Sequence, residues 1–222
     1  MLRSARALVG YEVRGEDGEV GRLEELYFDD ELWTIRYLVV RAGSRLFGRR
    51  LLVSPEAVLA IDDHEDAIRL GLGRDQIGAS PEIDLDLPVS RQAEAIYRRY
   101  YGWPVYWAEP PVIGAHVPAR PAINPRGAPP AEELGDPHLR SSTEVTGYRV
   151  EGADGPIGHV EDLLFDDTDW KLHAFVVDTG GSRLWPGPRV VISPESISKV
   201  STRDSTIRVP LARSEVGAGA GR

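Results

Sequence analysis

The stretch DGEVGRLEELYFDD at residues 17–30 determines the architecture of the chain, because it returns as DGPIGHVEDLLFDD at residues 154–167. Each copy is followed by a tryptophan, Trp33 or Trp170, and then by a run that ends in Val-Val. A repeat of this length, in register at its glycines, acids and aromatic residues, indicates that one small module is used twice. We therefore predict that the two modules correspond strand by strand.

The spacing of apolar residues and turn residues predicts short strands in the first module. Leu8–Val13 and Glu19–Asp29 are predicted strands, and the glycines and acids between them predict the turn that separates them. The apolar residues of the second strand change parity part of the way along. Because side chains alternate between the two faces of a strand, we predict a bulge at Glu24 or Glu25.

The rest of the module continues this pattern. A third strand from Trp33 is half-exposed at its start and apolar on both faces at its end, as a small closed sheet requires. Ser54-Pro55-Glu56 predicts a helical turn capped by the serine, and Ala67–Leu70 is the last strand. The second copy repeats these signals in order. Many short strands without a long internal helix predict an all-β protein, with two small antiparallel barrels.

The modules are separated by different material. We predict domains at residues 1–88 and 141–213, with a helix and a proline-rich linker at 89–140 and a disordered tail at 214–222. Between the modules, Ser90 caps a predicted helix at 91–101, and Gly102 ends it.

Composition limits the chemistry. The 222 residues include no cysteine, which excludes disulfides and cysteine-ligated metals, and the net charge of −9 disfavours binding to nucleic acid. No basic stretch followed by an apolar core opens the sequence, and no apolar run nears the length that crosses a bilayer, so we expect neither a targeting segment nor a membrane span. We expect a soluble, cytoplasmic protein.

Both copies resemble the PRC-barrel family. The residues that carry the resemblance are Asp-Gly-x-x-Gly, the acid-Leu-x-Phe-Asp that follows it, the later tryptophan, the Val-Val strand end and a Ser-Pro-Glu turn. Residues 72–81 resemble the extension of stand-alone bacterial members, and residues 100–107 resemble the connector of tandem members. The resemblance implies a tandem bacterial PRC-barrel protein.

This family includes the barrel of the reaction-centre H subunit and that of a ribosome maturation factor. The resemblance therefore implies assembly and interaction rather than one reaction. Neither role can be carried over to this chain residue by residue, because we expect no segment here that matches the anchor, the partner domain or the proton-path acids of those proteins.

Several side chains invite a chemical interpretation. Asp29-Asp30 and Asp166-Asp167 could bind a hard cation, but they lack the ligand count of a known loop and are typical of solvated turns. Glu24-Glu25 and Glu161-Asp162 could form acid/base pairs, but adjacent strand residues point to opposite faces. The five histidines are scattered over the sequence: His64, His116, His138, His159 and His173. We predict no catalytic residue, metal site or cofactor.

The candidate interaction residues lie in an aromatic run after the helix and in a basic loop of the first module. They are Trp103, Tyr106, Trp107, Arg45, Arg49 and Arg50. The aromatic run carries too much apolar surface for a free linker. It could pack on a barrel, close a sheet edge or contact a second copy of the protein, and we favour packing on a barrel.

The function predicted from the sequence is a non-enzymatic interaction or scaffolding protein with an unknown protein partner. A homodimer stays open as an alternative, and a membrane partner is not expected. One rival function is an accessory factor for RNA or ribosomes, which rests on family analogy. Another is an enzyme or ligand-binding protein with a site between the barrels.

Overall fold

The computed structural model describes residues 1–43, 48–80, 91–104, 139–180 and 187–218. The chain starts with β1 (Leu2–Ser4) and α1 (Ala5–Leu8). The next elements are β2 (Glu12–Gly15), β3 (Gly18–Asp29), β4 (Thr34–Ala42), β5 (Arg50–Val53), β6 (Val58–Asp62), β7 (Ala67–Leu70) and α2 (Arg74–Gly78). After α3 (Arg91–Tyr101), the later elements are β8 (Leu139–Ser141), α4 (Ser142–Val145), β9 (Arg149–Gly152), β10 (Gly155–Asp166), β11 (Leu172–Asp178), β12 (Arg189–Ile192), β13 (Lys199–Ser201), β14 (Thr206–Arg208) and α5 (Arg213–Ala218).

These elements fall into two compact units. One unit contains Met1–Gly78 together with His138–Arg222, so both β-rich regions belong to it. The other is Ala79–Pro137, whose described part includes α3. We call residues 1–78 the first half and residues 139–218 the second half.

The fold is mostly β, with two seven-stranded sheets. The strand order β5-β4-β3-β2-β7-β6 in the first sheet has its counterpart in β12-β11-β10-β9-β14-β13 in the second. Within the described ranges, no strand pairing joins the end strands of either path, so closure into barrels stays a prediction.

One pair of neighbouring strands in each sheet is parallel, which corrects the prediction of purely antiparallel sheets. β2 runs parallel to β7, and β9 runs parallel to β14. A parallel pair needs a long crossover between its strands. Here the intervening strands of each half supply that crossover, and no local sequence signal announces it.

The bulge predicted at Glu24 or Glu25 is confirmed. The pairing of β3 with β4 shifts register between Leu23 and Glu25, which leaves Glu24 as the extra residue. The pairing of β10 with β11 shifts in the same way between Val160 and Asp162, on either side of Glu161. Both bulges bend a twelve-residue strand at the corresponding place.

The predicted strand at Leu8–Val13 is wrong from Leu8 to Tyr11, because β2 begins at Glu12. Ser4 instead caps α1, with its hydroxyl accepting a hydrogen bond from the backbone N of Ala7 at 2.9 Å. A backbone bond from Tyr11 N to Leu8 O at 3.0 Å then turns the chain before β2 begins. The second half repeats this arrangement, because Ser141 caps α4 through the backbone N of Glu144 at 3.1 Å.

The start of each half lies on the sheet of the other half. β1 pairs antiparallel with β10, where Arg3 is opposite Phe165. β8 pairs antiparallel with β3, where Arg140 is opposite Phe28. We call β1 with α1, and β8 with α4, the leading segments. All contacts between the first half and the second half together form the seam, which includes the leading segments and the residues that they contact on the opposite sheet.

The structure differs from the predicted disordered tail over residues 214–218, which belong to α5. Asp154 accepts a hydrogen bond from the backbone N of Arg213 at 2.8 Å, and Val216 is buried. In the first half, Asp17 accepts from the backbone N of Arg74 at 2.7 Å in the same way. α5 is therefore the counterpart of α2, and residues 219–222 lie outside the described ranges.

Candidate interaction site

Two arginines of the leading segments form matched ion pairs across the seam. Arg140 Nε donates to Asp30 Oδ2 at 2.8 Å, and the two side chains are only 16% and 9% exposed. Arg3 Nε donates to Asp167 Oδ2 at 2.5 Å, and its Nη1 donates to Asp63 Oδ1 at 2.6 Å. The Asp-Asp turns that could have bound a cation thus each provide a carboxylate to the opposite leading segment.

Two serines of the leading segments also reach across the seam. Ser4 Oγ donates to Asp162 Oδ2 at 2.5 Å, and Ser141 Oγ donates to Glu25 Oε2. Each hydroxyl therefore caps its own helix and contacts the opposite sheet at once. Ser142 Oγ adds a bond by accepting from the buried backbone N of Leu26 at 3.0 Å.

Glu25 is a buried acid of the seam, with 7% exposure. Burial raises the pKa of its carboxyl, while the Ser141 hydroxyl and Arg50 act in the opposite direction. Arg50 Nη2 donates to Glu25 Oε1 at 2.6 Å. Burial also raises the pKa of the neighbouring Tyr27 to about 12, so its phenol stays protonated at neutral pH.

The bulged acids pair with arginines of their own sheet. Glu24 accepts from Arg50 Nε at 2.9 Å and also contacts Arg41. Glu161 accepts from Arg189 Nε at 2.5 Å and from its Nη2 at 2.7 Å. The residues considered for acid/base chemistry thus form ion pairs and hydrogen bonds. These interactions fix the neighbouring strands and the leading segments in place.

The centre of the seam is formed by backbone bonds and aromatic rings. Thr34 and Lys171 form an antiparallel bridge, flanked by the bonds Ile35 N to Trp170 O at 2.8 Å and Leu172 N to Trp33 O at 2.7 Å. Around this bridge the rings of Trp33 and Phe175 lie edge to face, 5.7 Å between centroids. The two backbone bonds therefore join equivalent pairs of positions of the sequence repeat, Ile35 with Trp170 and Leu172 with Trp33.

The predicted interaction residues are distributed over both compact units. Arg50 is engaged by Glu24 and Glu25, and Arg49 Nη1 donates to the carbonyl of Gly78 at 3.0 Å. Arg45 lies outside the described residues. At the two positions that the structure describes, the basic loop is therefore tied to its own half of the chain, through β3 at Arg50 and through the end of α2 at Arg49.

The aromatic run begins where the predicted helix ends. α3 spans Arg91–Tyr101 as predicted, and Gly102 ends it in a left-handed conformation with φ 75°. Trp103 is half-buried and stacks on Tyr101 with ring centroids 4.3 Å apart. Tyr106 and Trp107 lie outside the described residues, so packing of the whole run stays a prediction.

The described histidines do not converge. His64, His159 and His173 are all exposed, and His116 and His138 lie outside the described ranges. In the part of the chain that the structure describes, no group of three or more histidines and acids is placed to hold a metal ion. Among the same residues, no helix has the length and apolar character needed to cross a membrane.

A shallow groove of about 440 Å³ lies on the first half. Its lining combines acidic side chains, including Asp17, Glu19 and Asp75, with the apolar side chains of Val20 and Ile77. This groove lies within one half of the compact unit, whereas the ligand site considered from the sequence was expected between the two modules.

Sequence reasoning found the acids and the tryptophans of the seam but missed the leading segments. The signal was present, because Leu-Arg-Ser occurs at both residues 2–4 and residues 139–141. These triplets are separated by the same 137 positions that separate Trp33 from Trp170.

A comparison with curated proteins gave no match to the chain. Residues 2–77, from the first leading segment into α2, match the family model of the PRC-barrel domain.

Proposed function

We propose that the chain is a bacterial, cytoplasmic protein with two PRC-barrel domains that acts as a non-enzymatic interaction or scaffolding module. In this proposal the second half is a second copy of the domain that residues 2–77 match. The same strand order in both sheets supports the duplication. Further support comes from the matching bulges at Glu24 and Glu161, and from the matching caps of α2 and α5 by Asp17 and Asp154.

One observation carries the non-enzymatic role. The acidic residues that occur in both copies are the ones that acid/base catalysis would use. In the structure these same residues join the two halves. Asp30 and Asp167 receive the arginines of the leading segments, and Glu25 and Asp162 receive the serines. A general acid or base must be free to exchange a proton with a substrate, whereas these carboxylates are committed to partners within the fold.

Trp103 and Arg49 are the described residues that we propose for contact with a protein partner. Trp103 is half-buried, so part of its indole is accessible. Tryptophan and arginine are enriched among the residues that carry binding energy in protein interfaces. Arg50 is a weaker choice, because binding through its guanidinium would compete with Glu24 and Glu25.

Site-specific photo-crosslinking in the source organism tests this proposal. A benzophenone amino acid replaces Trp103 in the full-length chain, and the matched control replaces Leu59, which is 72% exposed on β6. A discrete crosslinked protein obtained from position 103 and not from position 59 supports the proposal. Crosslinking to RNA from position 103, or no specific product there, contradicts it.

A further inference from the structure

The seam inside the chain joins parts that are far apart in sequence. β1 pairs with β10, and β8 pairs with β3, so each leading segment completes the sheet of the other half. The two halves are separated by residues 79–138. None of the seam contacts named above uses residues 79–138, so the same contacts can form between halves that belong to two molecules.

The contacts across the seam depend only on which halves meet, and not on the link between them. Arg140 forms an ion pair with Asp30, and Arg3 forms one with Asp167. In each pair the two residues belong to different halves. The bridge of Thr34 with Lys171 uses backbone groups flanking both residues. Two chains that exchanged halves would therefore form two complete seams, and each seam would keep the bonds found within one chain.

We propose that the seam is a docking surface for a second copy of this chain, in which the first half of one copy joins the second half of the other. Exchange of identical elements is a low-cost route to a dimer, since each contact is already present in the monomer. The balance between the closed monomer and the exchanged dimer is set by the effective concentration of one half near the other within a chain. This inference concerns self-association and is independent of the scaffolding function proposed above.

The absence of cysteine from the sequence allows a direct test in the full-length protein. Thr34 and Lys171 face each other between two flanking backbone bonds, which is the closely spaced type of antiparallel pair. Its typical Cα separation of about 4.5 Å falls within the range that a disulfide can bridge. A disulfide between a Thr34→Cys chain and a Lys171→Cys chain that forms in preference to the homodimers of either variant therefore reports an exchanged seam.

The two single variants are mixed, unfolded together, refolded at several concentrations and oxidised. We expect a covalent heterodimer of twice the 24.4 kDa chain mass. At low concentration its yield should rise about tenfold for each tenfold rise in protein concentration. Each single variant alone should give no disulfide dimer, because Thr34 faces Lys171 and not a second Thr34.

The double variant Thr34→Cys/Lys171→Cys at low concentration provides the positive control. It should close its disulfide within one chain and keep the mass of a monomer. If it closes while the mixed single variants give no heterodimer at any concentration, the proposal is wrong. Equal dimer yields from one single variant alone would also overturn it. Light scattering of the wild-type chain, refolded at the same concentrations, measures dimer formation without any substitution and must show a dimer fraction that grows with concentration.

Discussion

Trp33 and Trp170 both hold a left-handed backbone conformation, with φ of 50° and 60°, and their carbonyls accept the backbone bonds that join the two halves. This conformation is unfavourable for residues other than glycine, by about 1–2 kcal/mol. It persists here because the aromatic contacts and the reciprocal bonds to Ile35 and Leu172 require it.

Substitutions at Trp33 should separate the backbone strain from the aromatic packing. Both Trp33→Ala and Trp33→Gly lose the contacts with Phe28 and Phe175, so both should be less stable than the wild type. The glycine variant should be the more stable of the two by about 1 kcal/mol, because glycine adopts this conformation without strain. At Ile35, within β4, the order should be reversed. Chemical unfolding measures the free energy of unfolding of the four variants. If alanine and glycine rank in the same order of stability at both positions, backbone strain at Trp33 is contradicted.

The ion pair of Arg140 with Asp30 should contribute to stability more than a surface pair. Its side chains are 16% and 9% exposed, whereas the pair of Arg208 with Glu151 is 59% and 37% exposed. A double-mutant cycle with Arg140→Ala and Asp30→Asn should give a coupling energy of about 1–2 kcal/mol. The cycle with Arg208→Ala and Glu151→Gln should give less than about 0.5 kcal/mol. If the coupling energy of Arg140 with Asp30 is as small as that of Arg208 with Glu151, the ion pair does not stabilise the seam.

Local sequence signals predict much of each half. The apolar residues of β3 change parity near Glu24. Without an extra residue there, the apolar side chains after it would point to the opposite face of the sheet, so the parity change locates the bulge. Gly102 ends α3 because glycine adopts the left-handed conformation readily. The aromatic and acidic positions repeat because both sheets are built in the same way.

The seam could not be predicted from local signals, because its bonds join residues far apart in the chain. Leu139–Ser141 is only three residues long, too short for a recognisable alternating pattern. Trp33 fits the alternation of β4 and so resembles a strand residue, although it lies before the strand in a left-handed turn. Asp30 resembles an ordinary turn acid until the position of Arg140 is known.

Asp178 should make the stability of the second half depend on pH. Hydrogen bonds from the backbone N of Gly180 and of Gly187, each at 2.7 Å, lower the pKa of its carboxyl. The folded pKa lies below the unfolded pKa of about 3.9. The stabilisation is therefore present above the unfolded pKa and is lost as the pH falls through the folded pKa.

Unfolding experiments from pH 7 to pH 2 test this dependence. The difference in the free energy of unfolding between the wild type and Asp178→Asn should shrink below about pH 4. A difference that does not change with pH would contradict this role.

Trp103 should contribute packing energy to the compact unit that contains α3. Its ring stacks on Tyr101, and its backbone N donates to Arg98 O at 2.8 Å. Trp103→Ala should lower the melting temperature and cost about 1–3 kcal/mol, less than truncation of a fully buried tryptophan. Tyr100→Ala, at a ring that is 38% exposed, should cost less. If both variants melt like the wild type, the aromatic run does not stabilise the fold.

The seam should make the two halves one cooperative unit. Gly21 tests this coupling, because a Cβ added there would lie 2.1 Å from the carbonyl oxygen of Arg41, within the first sheet. Gly21→Ala should therefore destabilise the first sheet by about 2 kcal/mol or more. Gly78→Ala is the control, since no atom lies within 4 Å of its added Cβ.

Native-state hydrogen exchange of the Gly21→Ala chain, read residue by residue, measures the coupling of the two halves. We predict that amides of β10 and β11 in the second sheet lose protection by the same factor as those of β3 and β4. The Gly78→Ala chain should keep wild-type protection in both sheets. Loss of protection in the first sheet alone, with the second sheet unchanged, would contradict the coupling of the two halves through the seam.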